Sequence, residues 1–299
     1  MKNILITTEE FMITNFPEDF VIRKNPYGRK LTEAEADDLI QRHKPLGMIA
    51  GIEPLTRKIM EKAPFLKVIS RCGIGLDSVD LKAAAELGIK VTNTPDAPTS
   101  AVAELAVALM LSVLRKICLV DKKIKVGEWV RPMGSLLAGK AVGIIGCGRI
   151  GSYVARLTTA FGCKVLGYDP YIKNSSFFAV CGLGTLLREA DIVSLHIPHT
   201  GENHHLINRE KIFAMKSGSV LINTARGGLI DEGALYEALL KGHISGAALD
   251  CFENEPYSGQ LANLDNVVLT SHVGSNAKEA RIIMERQALD NLIKDLVQK

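Results

Sequence analysis

The sequence predicts an α/β protein with two doubly wound parallel-sheet domains, and three observations support this prediction. The chain has 299 residues, more than one ordinary hydrophobic core holds. Short β-branched runs alternate with amphipathic segments from end to end, as in parallel α/β folds. The alternation stops at a proline-containing segment, residues 93–100, and starts again with more apolar strands after Lys140.

In the first half of the chain, four short apolar runs are expected strands and two amphipathic runs are expected helices. The strands are Ile4–Thr7, Met48–Ala50, Val68–Ser70 and Lys90–Thr92. The helices are Glu33–His43 and Ser78–Leu87, and the second is followed by Gly88, a residue suited to a left-handed helix cap.

After residues 93–100, which we interpret as a crossover between domains, a long apolar helix is expected from Ala101 to about Ile117. Six mostly apolar strands follow, as a dinucleotide-binding sheet requires. They are Ala141–Ile145, Lys164–Tyr168, Ile192–Leu195, Ser219–Asn223, Gly246–Asp250 and Val267–Thr270. The last helix, 278–299, is expected to return to the first domain. We therefore predict a discontinuous domain, residues 1–95 plus 276–299, into which residues 96–275 are inserted.

The composition fits a soluble globular protein, with 47% hydrophobic and 23% charged residues. A formal net charge of +3 gives no reason to expect nucleic acid or a membrane surface as a partner. None of the six cysteines forms a C-x-x-C pair, so a reducing, cytoplasmic environment is expected. We expect no signal peptide at the N-terminus. The most apolar stretch, Ala101–Leu114, is shorter than the roughly 20 residues of a membrane span.

A glycine-rich turn lies between the first strand of the second domain and a helix, and it reads Gly146-Cys147-Gly148-Arg149-Ile150-Gly151. In G-x-G-x-x-G spacing, glycines let backbone amides approach a pyrophosphate at the helix N-terminus. Asp169 closes the next strand, where an acid hydrogen-bonds ribose hydroxyls and repels a 2′-phosphate. The alternative is a structural turn followed by an exposed acid. The combined context favours a dinucleotide site that prefers NAD to NADP.

Arg226, Glu255 and His272 each follow a strand of the second sheet. Because ligands of open α/β sheets bind at the carboxyl ends of the strands, these side chains should converge. Arginine can hold and polarise a 2-keto acid, and histidine can transfer a proton near neutral pH. The glutamate would favour the imidazolium form and orient the ring. A single histidine at a strand end is more often structural, so the prediction depends on all three residues together.

Further motifs, in the order of a known enzyme family, cover almost the whole chain. They are Arg71-Cys72-Gly73-Ile74-Gly75-Leu76-Asp77, Asn93-Thr94-Pro95, Ala103-Glu104-Leu105, Gly127-Glu128-Trp129, Tyr168-Asp169-Pro170, Leu195-His196-Ile197-Pro198, Asn223-Thr224-Ala225-Arg226-Gly227-Gly228, Ala248-Leu249-Asp250 through Glu255-Pro256, and Ser271-His272-Val273-Gly274. By these motifs the chain resembles the D-isomer-specific 2-hydroxyacid dehydrogenase family, and is most similar to its phosphoglycerate dehydrogenase branch.

The resemblance implies a Rossmann NAD-binding domain inserted into a smaller, flavodoxin-like substrate domain, with the active site in the cleft between them. The implied reaction moves a hydride between nicotinamide and the C2 atom of a small D-2-hydroxy or 2-keto acid. Arg226, Glu255 and His272 match the catalytic residues. Arg71 and the amides of Ile74 and Gly75 match the substrate loop, and Arg226 and His272 would also contact the substrate.

The resemblance also implies a set of cofactor contacts beyond the three glycines and Asp169. They are Arg149, Ile150, Ile197, Pro198, Thr200, Asn203, Thr224, Ala225, Arg226, Asp250, His272 and Gly274, with Asp250 at the nicotinamide carboxamide. Family members are typically homodimers that contact each other through the helix after the crossover, here Ala101–Ile117. A homodimer is therefore expected.

A metal site is not expected, although four histidines cluster at His196, His199, His204 and His205. No acid or cysteine ligand is expected to join them, and His196 matches the family's His-x-Pro loop.

The identity of the acid stays open at this point. Arg71 and Arg131 could both face a substrate phosphate, which favours 3-phosphoglycerate, but Glu53 stands where a further cation would be expected. The regulatory domain that follows in many phosphoglycerate dehydrogenases is not expected after Lys299. Glyoxylate, hydroxypyruvate, D-lactate and phosphite are alternative substrates. A non-enzymatic NAD-binding corepressor remains an alternative of another class, although the tails expected of one are missing. Glu255 argues against a formate dehydrogenase, which would carry glutamine there.

Overall fold

The computed structural model describes residues 1–297, which form two units. The first unit comprises Met1–Pro98 and the chain from Ser275 onward, and the second unit comprises Thr99–Gly274. Each unit is built on a parallel sheet, of five and seven strands respectively. The prediction of an α/β fold with two parallel-sheet domains, one inserted into the other, is confirmed.

The sheet of the first unit has the strand order β2-β1-β3-β4-β5, and all neighbouring strands are parallel. The strands are β1 (Lys2–Ile6), β2 (Phe20–Lys24), β3 (Gly47–Ala50), β4 (Val68–Arg71) and β5 (Lys90–Thr92). Four of these were predicted. The edge strand β2 was not, because it is only half-buried and lacks the continuous apolar run of a central strand.

Helices cover both faces of this sheet: α1 (Glu33–His43), α2 (Arg57–Glu61), α3 (Leu81–Glu86) and the C-terminal helix Lys278–Val297. Helix α1 begins at a capping box, in which Thr32 and Glu35 satisfy each other's backbone amides. The C-terminal helix lies on β3 and β4 and buries Met284, Ala288, Leu289 and Leu292.

The second unit has the strand order β12-β11-β10-β9-β6-β7-β8. Its strands are β6 (Ala141–Ile145), β7 (Lys164–Tyr168), β8 (Ala179–Val180), β9 (Ile192–Leu195), β10 (Ser219–Asn223), β11 (Ile244–Leu249) and β12 (Val267–Leu269). Six of these were predicted, and β8 is a two-residue edge strand without a sequence pattern. The order reverses between β6 and β9, which is the position where doubly wound sheets bind dinucleotides.

The helices of this unit are α4 (Thr99–Arg115), α5 (Ile117–Lys125), α6 (Arg149–Ala160), α7 (Leu183–Glu189), α8 (Arg209–Ala214) and α9 (Glu232–Leu240). Helix α4 packs on α6, β10 and β11, which explains its apolar composition. The predicted helix ended near Ile117, whereas the chain turns at Lys116, with φ 54°, and continues as the separate helix α5. Within residues 1–297, no helix combines the length and apolar character needed to cross a bilayer.

Candidate active site

The glycine-rich turn lies between β6 and α6, and each glycine has a distinct reason to be there. Gly146 has φ 91°, in the left-handed region, and a side chain on it would strike the backbone of His196. A Cβ on Gly151 would clash with the carbonyl oxygen of Gly146. Gly148 caps α6, and nothing lies within 4 Å of the position its Cβ would take. The turn therefore leaves open space at a helix N-terminus, as a bound pyrophosphate requires.

Asp169 is half-buried at the end of β7, beside the glycine-rich turn. Its Oδ2 accepts a hydrogen bond from the Cys147 amide at 2.9 Å, and its Oδ1 accepts one from the Tyr171 amide at 2.9 Å. These bonds fix the carboxylate next to the first turn of α6. An acid in this position matches the ribose-binding acid of dinucleotide-binding domains.

The loop after β9 carries four of the expected cofactor residues, Ile197, Pro198, Thr200 and Asn203. The Asn203 side chain accepts from the Thr200 amide at 2.7 Å and donates to the Pro198 carbonyl at 2.7 Å. Asn203 thus shapes this loop from within, next to the turn that contains Gly146.

An unsatisfied hydroxyl after β10 supports a ligand here. Thr224 is 7% exposed, and within the described part of the chain its Oγ1 has no hydrogen-bond partner. Buried polar atoms rarely go without a partner, and such an atom at a strand's carboxyl end is suited to a bound polar group. With the open space at Gly148 and the carboxylate of Asp169, the residues present fit a dinucleotide.

Glu255 and His272 lie side by side. Nδ1 of His272 is 3.0 Å from both Oε1 and Oε2 of Glu255, and Oε1 also accepts from the Phe252 amide at 3.1 Å. The His272 side chain is 40% exposed, so the other ring nitrogen can reach a ligand. A carboxylate on Nδ1 fixes the orientation of the ring.

Asp250 holds the backbone that follows His272. Its fully buried carboxylate accepts from Thr270 Oγ1 at 2.6 Å, from the Val273 amide at 2.9 Å and from the Gly274 amide at 2.8 Å. His272 itself has φ 55°, in the left-handed region. The role that the structure gives to Asp250 is therefore to fix the turn that presents His272.

Arg226 is the N-cap residue of a short 3₁₀ helix, Gly227–Leu229, that follows β10. Its Nη1 donates to the Ala225 carbonyl at 2.7 Å, and its own carbonyl accepts from the Asn223 side chain at 2.9 Å. Gly227 has no room for a side chain because a Cβ would overlap the backbone of Phe252. The segments that carry Arg226 and Glu255 therefore lie in direct contact.

Cys251 is a buried residue of this site that the sequence reasoning missed. Its Sγ forms a group with the carboxylate of Glu255 and a ring nitrogen of His272, and these atoms all lie within 4.8 Å of one another. Burial raises the pKa of the Cys251 thiol, Asp250 raises it further, and Arg226 opposes the shift. The Cys251 thiol thus lies with two of the three predicted catalytic side chains, Glu255 and His272. Only its place after an apolar strand could have indicated it.

The expected substrate residues Arg71, Ile74 and Gly75 belong to the first unit. Arg71 ends β4 and is 9% exposed, and its Nη1 donates to the Cys72 carbonyl. Gly73 has φ 146°, and its amide donates to Thr94 Oγ1 at 2.8 Å. The Asn93 side chain donates to the Ile74 carbonyl at 2.8 Å. The Arg71 guanidinium is therefore hydrogen-bonded to its own loop, which is the loop predicted to bind the substrate.

Glu53 is a buried acid near Arg71. It is 1% exposed, and it accepts from Thr7 Oγ1 and, at 3.3 Å, from the Gly51 amide. Burial raises the pKa of Glu53, whereas the Thr7 hydrogen bond and the charge of Arg71 lower it. The charge of Arg71 thus acts on this carboxyl within the first unit, although burial has the larger effect on its pKa.

The absence of a metal site stays a prediction, although an acid lies beside two of the four histidines in the fold. Glu253, which follows β11, accepts a hydrogen bond from the ring of His205. One atom each of His204, His205 and Glu253 lie within 4.8 Å of one another. His196 is separate from them and is paired with Ser194 Oγ at 2.9 Å.

Comparison with known proteins gives a consistent result. The model of the D-isomer specific 2-hydroxyacid dehydrogenase NAD binding domain matches residues 107–274, more than half of the chain. The D-3-phosphoglycerate dehydrogenase of Methanocaldococcus jannaschii is 46% identical over 235 residues, 76% of this chain. This chain covers only 45% of that relative's length.

Two other similar proteins match over most of both chains. The hydroxypyruvate reductase of Thermotoga maritima is 43% identical over 256 residues, which cover 83% of this chain and 84% of the relative. The D-lactate dehydrogenase of Aquifex aeolicus, crystallised with NAD and lactic acid, has a TM-score of 0.83 at 28% identity and covers 98% of this chain and 95% of its own. The match to the NAD binding domain, together with the fit of the site, makes NAD the cofactor. This chain belongs to the D-isomer specific 2-hydroxyacid dehydrogenase family.

Proposed function

We propose that the protein is an NAD-dependent oxidoreductase that interconverts a small D-2-hydroxy acid and its 2-keto acid, with Arg226, Glu255 and His272 as catalytic residues. The observation that carries the proposal is the contact of His272 Nδ1 with the Glu255 carboxylate at 3.0 Å, on a segment that packs on the Arg226 turn. When bound, NAD supplies or accepts the hydride at the substrate's C2 atom.

His272 moves the proton in this proposal. During reduction, the ring nitrogen that faces away from Glu255 donates a proton to the developing alkoxide oxygen, and during oxidation it accepts the proton from the hydroxyl. Glu255 stabilises the imidazolium that exists before donation. Asp250 supports this step indirectly, since it holds the amides of Val273 and Gly274 and thereby the backbone conformation of His272.

Arg226 binds and polarises the substrate. Its guanidinium is a planar fork that matches a carboxylate or a carbonyl oxygen. The amides of Ile74 and Gly75 are proposed to receive the substrate carboxylate, as the family resemblance implies. Cys251 lies beside Glu255 and His272, and burial raises the pKa of its thiol.

The environment of Arg71 favours an unphosphorylated acid, such as glyoxylate or hydroxypyruvate, over 3-phosphoglycerate. A residue that reads a phosphate needs an accessible guanidinium with unbalanced charge. Arg71 is 9% exposed, donates to its own loop and lies within the electrostatic reach of the buried Glu53. The high identity to a phosphoglycerate dehydrogenase keeps 3-phosphoglycerate as the second candidate.

An apolar surface supports the homodimer that the resemblance implies. Around α5 and the segment after it, large apolar side chains are exposed: Ile117, Ile124, Val126, Trp129, Met133 and Leu136. Monomeric proteins rarely expose so many together, so we propose that a second copy of the chain covers them. A cytoplasmic location remains a prediction.

The test is the turnover of a panel of 2-keto acids with NADH, measured as the decrease in NADH absorbance. We expect glyoxylate or hydroxypyruvate to be reduced with the highest catalytic efficiency. The panel includes D-lactate and 3-phosphoglycerate in the oxidative direction. Tight NADH binding without turnover of any acid would contradict the proposal and favour a non-enzymatic NAD-binding protein.

A further inference from the structure

Three histidines and one glutamate, here called the histidine cluster, lie together at the carboxyl end of the second sheet. His199, His204 and His205 stand in the loop after β9, and Glu253 stands in the segment after β11. The rings of His204 and His205 are stacked, with centroids 4.0 Å apart, and His205 Nε2 contacts Glu253 Oε1. Nε2 of His199 lies 3.2 Å from Nδ1 of His204. No step of the proposed reaction uses these four side chains.

The composition and spacing of the cluster match the ligands of a borderline divalent metal. Zinc binds imidazole nitrogens and carboxylate oxygens at about 2.0–2.2 Å in a tetrahedral arrangement, which puts two ligand atoms about 3.3 Å apart. In the cluster, one atom each of His204, His205 and Glu253 already lie within 4.8 Å of one another. Binding of one ion would draw these three atoms closer together.

The backbone around the cluster is held in place, so the ligands are partly preorganised. The His205 amide donates to the Gly228 carbonyl at 2.8 Å, and the Glu253 amide donates to Glu232 Oε1 at 2.9 Å. His199 packs closely on Gly228, where an added Cβ would be 2.7 Å from its Nε2. Glu232 is thus a second carboxylate next to the triad. Groups that contact the ligands of a metal in this way tune the affinity of the site for the metal.

A plain hydrogen bond between His205 and Glu253 accounts for only two of the four residues. The other two, His199 and His204, form a hydrogen-bonded pair of their own at 3.2 Å, and the stacked rings of His204 and His205 bring the two pairs together. Several imidazoles beside a carboxylate are the donor set that zinc, nickel and cobalt ions prefer. The two pairs therefore place two imidazoles and a carboxylate around one point, with the third imidazole at its edge.

We propose that His204, His205 and Glu253 form a binding site for one divalent transition-metal ion of the zinc type, with His199 at its edge. The ion takes no part in hydride or proton transfer. It joins the loop that contains Thr200 and Asn203 to the segment that leads to Glu255, and binding stabilises both segments in one arrangement. An ion that binds the folded chain but not the unfolded chain raises the melting temperature of the protein.

The test uses the full chain without a histidine tag, treated with a chelator and returned to a non-coordinating buffer. Titration with zinc chloride, followed by calorimetry, is expected to show one saturable site per chain, and zinc is expected to raise the melting temperature. His204→Ala and Glu253→Gln should each weaken zinc binding at least tenfold. The matched control is His43→Ala, a histidine of the first unit, which should bind zinc like the unmodified chain.

One further measurement and one further variant distinguish lost zinc binding from other causes. The melting temperature of each variant is measured in chelator, where the exposed His204 should leave it close to that of the unmodified chain, so that lost binding is not mistaken for unfolding. Cys251→Ser tests the other group of candidate ligands, Cys251, Glu255 and His272. The proposal is overturned if zinc does not bind saturably, if His204→Ala binds zinc like the unmodified chain, or if only Cys251→Ser removes binding.

Discussion

His272 and Glu255 form a bifurcated contact in which Nδ1 of the ring is 3.0 Å from each oxygen of the carboxylate. The two residues are 17 positions apart in the chain, and each follows a different strand of the same sheet. The contact leaves only one ring nitrogen to meet a substrate. In the proposed reaction, that nitrogen is the atom that exchanges the proton.

Replacing His272 should cost more activity than replacing Glu255. His272→Ala removes the proton donor and is expected to lower kcat by about 10²- to 10⁴-fold, the usual scale of general acid–base assistance. Glu255→Gln keeps a side chain of the same shape but removes the charge, so it should lower kcat less than His272→Ala does. Steady-state kinetics in both directions, with NADH affinity as the control, measure the difference. Near-normal turnover by His272→Ala, with product release shown not to limit the rate, would contradict the assignment.

The direction of the reaction should set its pH preference. Reduction consumes a proton from His272 and oxidation returns one to it, so reduction is expected to favour lower pH and oxidation higher pH. Arg226→Ala should impair both directions at every pH, because the acid must be held and polarised either way. Rate–pH profiles of both directions check this. An Arg226→Ala enzyme that is impaired in one direction only would argue against the proposed role.

Asp169 should decide between NAD(H) and NADP(H). Its carboxylate is fixed beside the first turn of α6 and would repel a 2′-phosphate. We expect at least about tenfold higher catalytic efficiency with NADH than with NADPH, from charge repulsion and lost ribose hydrogen bonds. Asp169→Ala should narrow this ratio. Equal efficiencies for both cofactors in the unmodified enzyme would show that Asp169 does not discriminate.

Arg71 and Glu53 should be coupled in stability and only secondarily involved in substrate choice. Arg71→Met removes a positive charge that favours the ionised form of the buried Glu53, so it is expected to lower the free energy of unfolding. Glu53→Gln combined with Arg71→Met should recover much of this loss, which a double-mutant cycle measures by denaturant unfolding. In kinetics, Arg71→Lys should reduce efficiency on phosphorylated and unphosphorylated acids alike. A selective rise in KM for 3-phosphoglycerate would mean that Arg71 reads a phosphate after all.

His196 should make the protein less stable in acid. Burial lowers the pKa of His196 to about 3. The unfolded chain takes up the proton near pH 6.5, so between about pH 6.5 and 3 it binds more protons than the folded chain, and stability falls as the pH is lowered through this window. The contribution is at most about 1.4 kcal/mol per pH unit. His196→Asn, which can keep the bond to Ser194, should flatten this dependence in melts at pH 5 to 7. An unchanged slope would contradict it.

The sequence by itself determined the class of the fold and the cofactor-binding turn. Central parallel strands are continuous apolar runs, so β6, β7, β9 and β10 could be placed to the residue. Gly146 has a left-handed backbone conformation, and Gly151 lies against the carbonyl oxygen of Gly146. Both constraints arise within the turn, so the local sequence can show them. The positions of Arg226 and His272 at strand ends followed from the same rule, because strands of a parallel sheet share one carboxyl edge.

Only the tertiary structure decided which side chains pair across that edge. Glu253 contacts His205 although 48 residues separate them. In the first unit, the charge of Arg71 acts on Glu53, which lies in the segment after β3. Cys251 was not singled out in the sequence, and only the fold brings its thiol together with Glu255 and His272. The end of α4 was predicted within two residues, but the separate helix α5 was not, since the apolar pattern continues across the turn at Lys116. Periodicity reports what a segment does with its neighbours in sequence. Contacts between distant segments depend on register and loop course, which no single segment encodes.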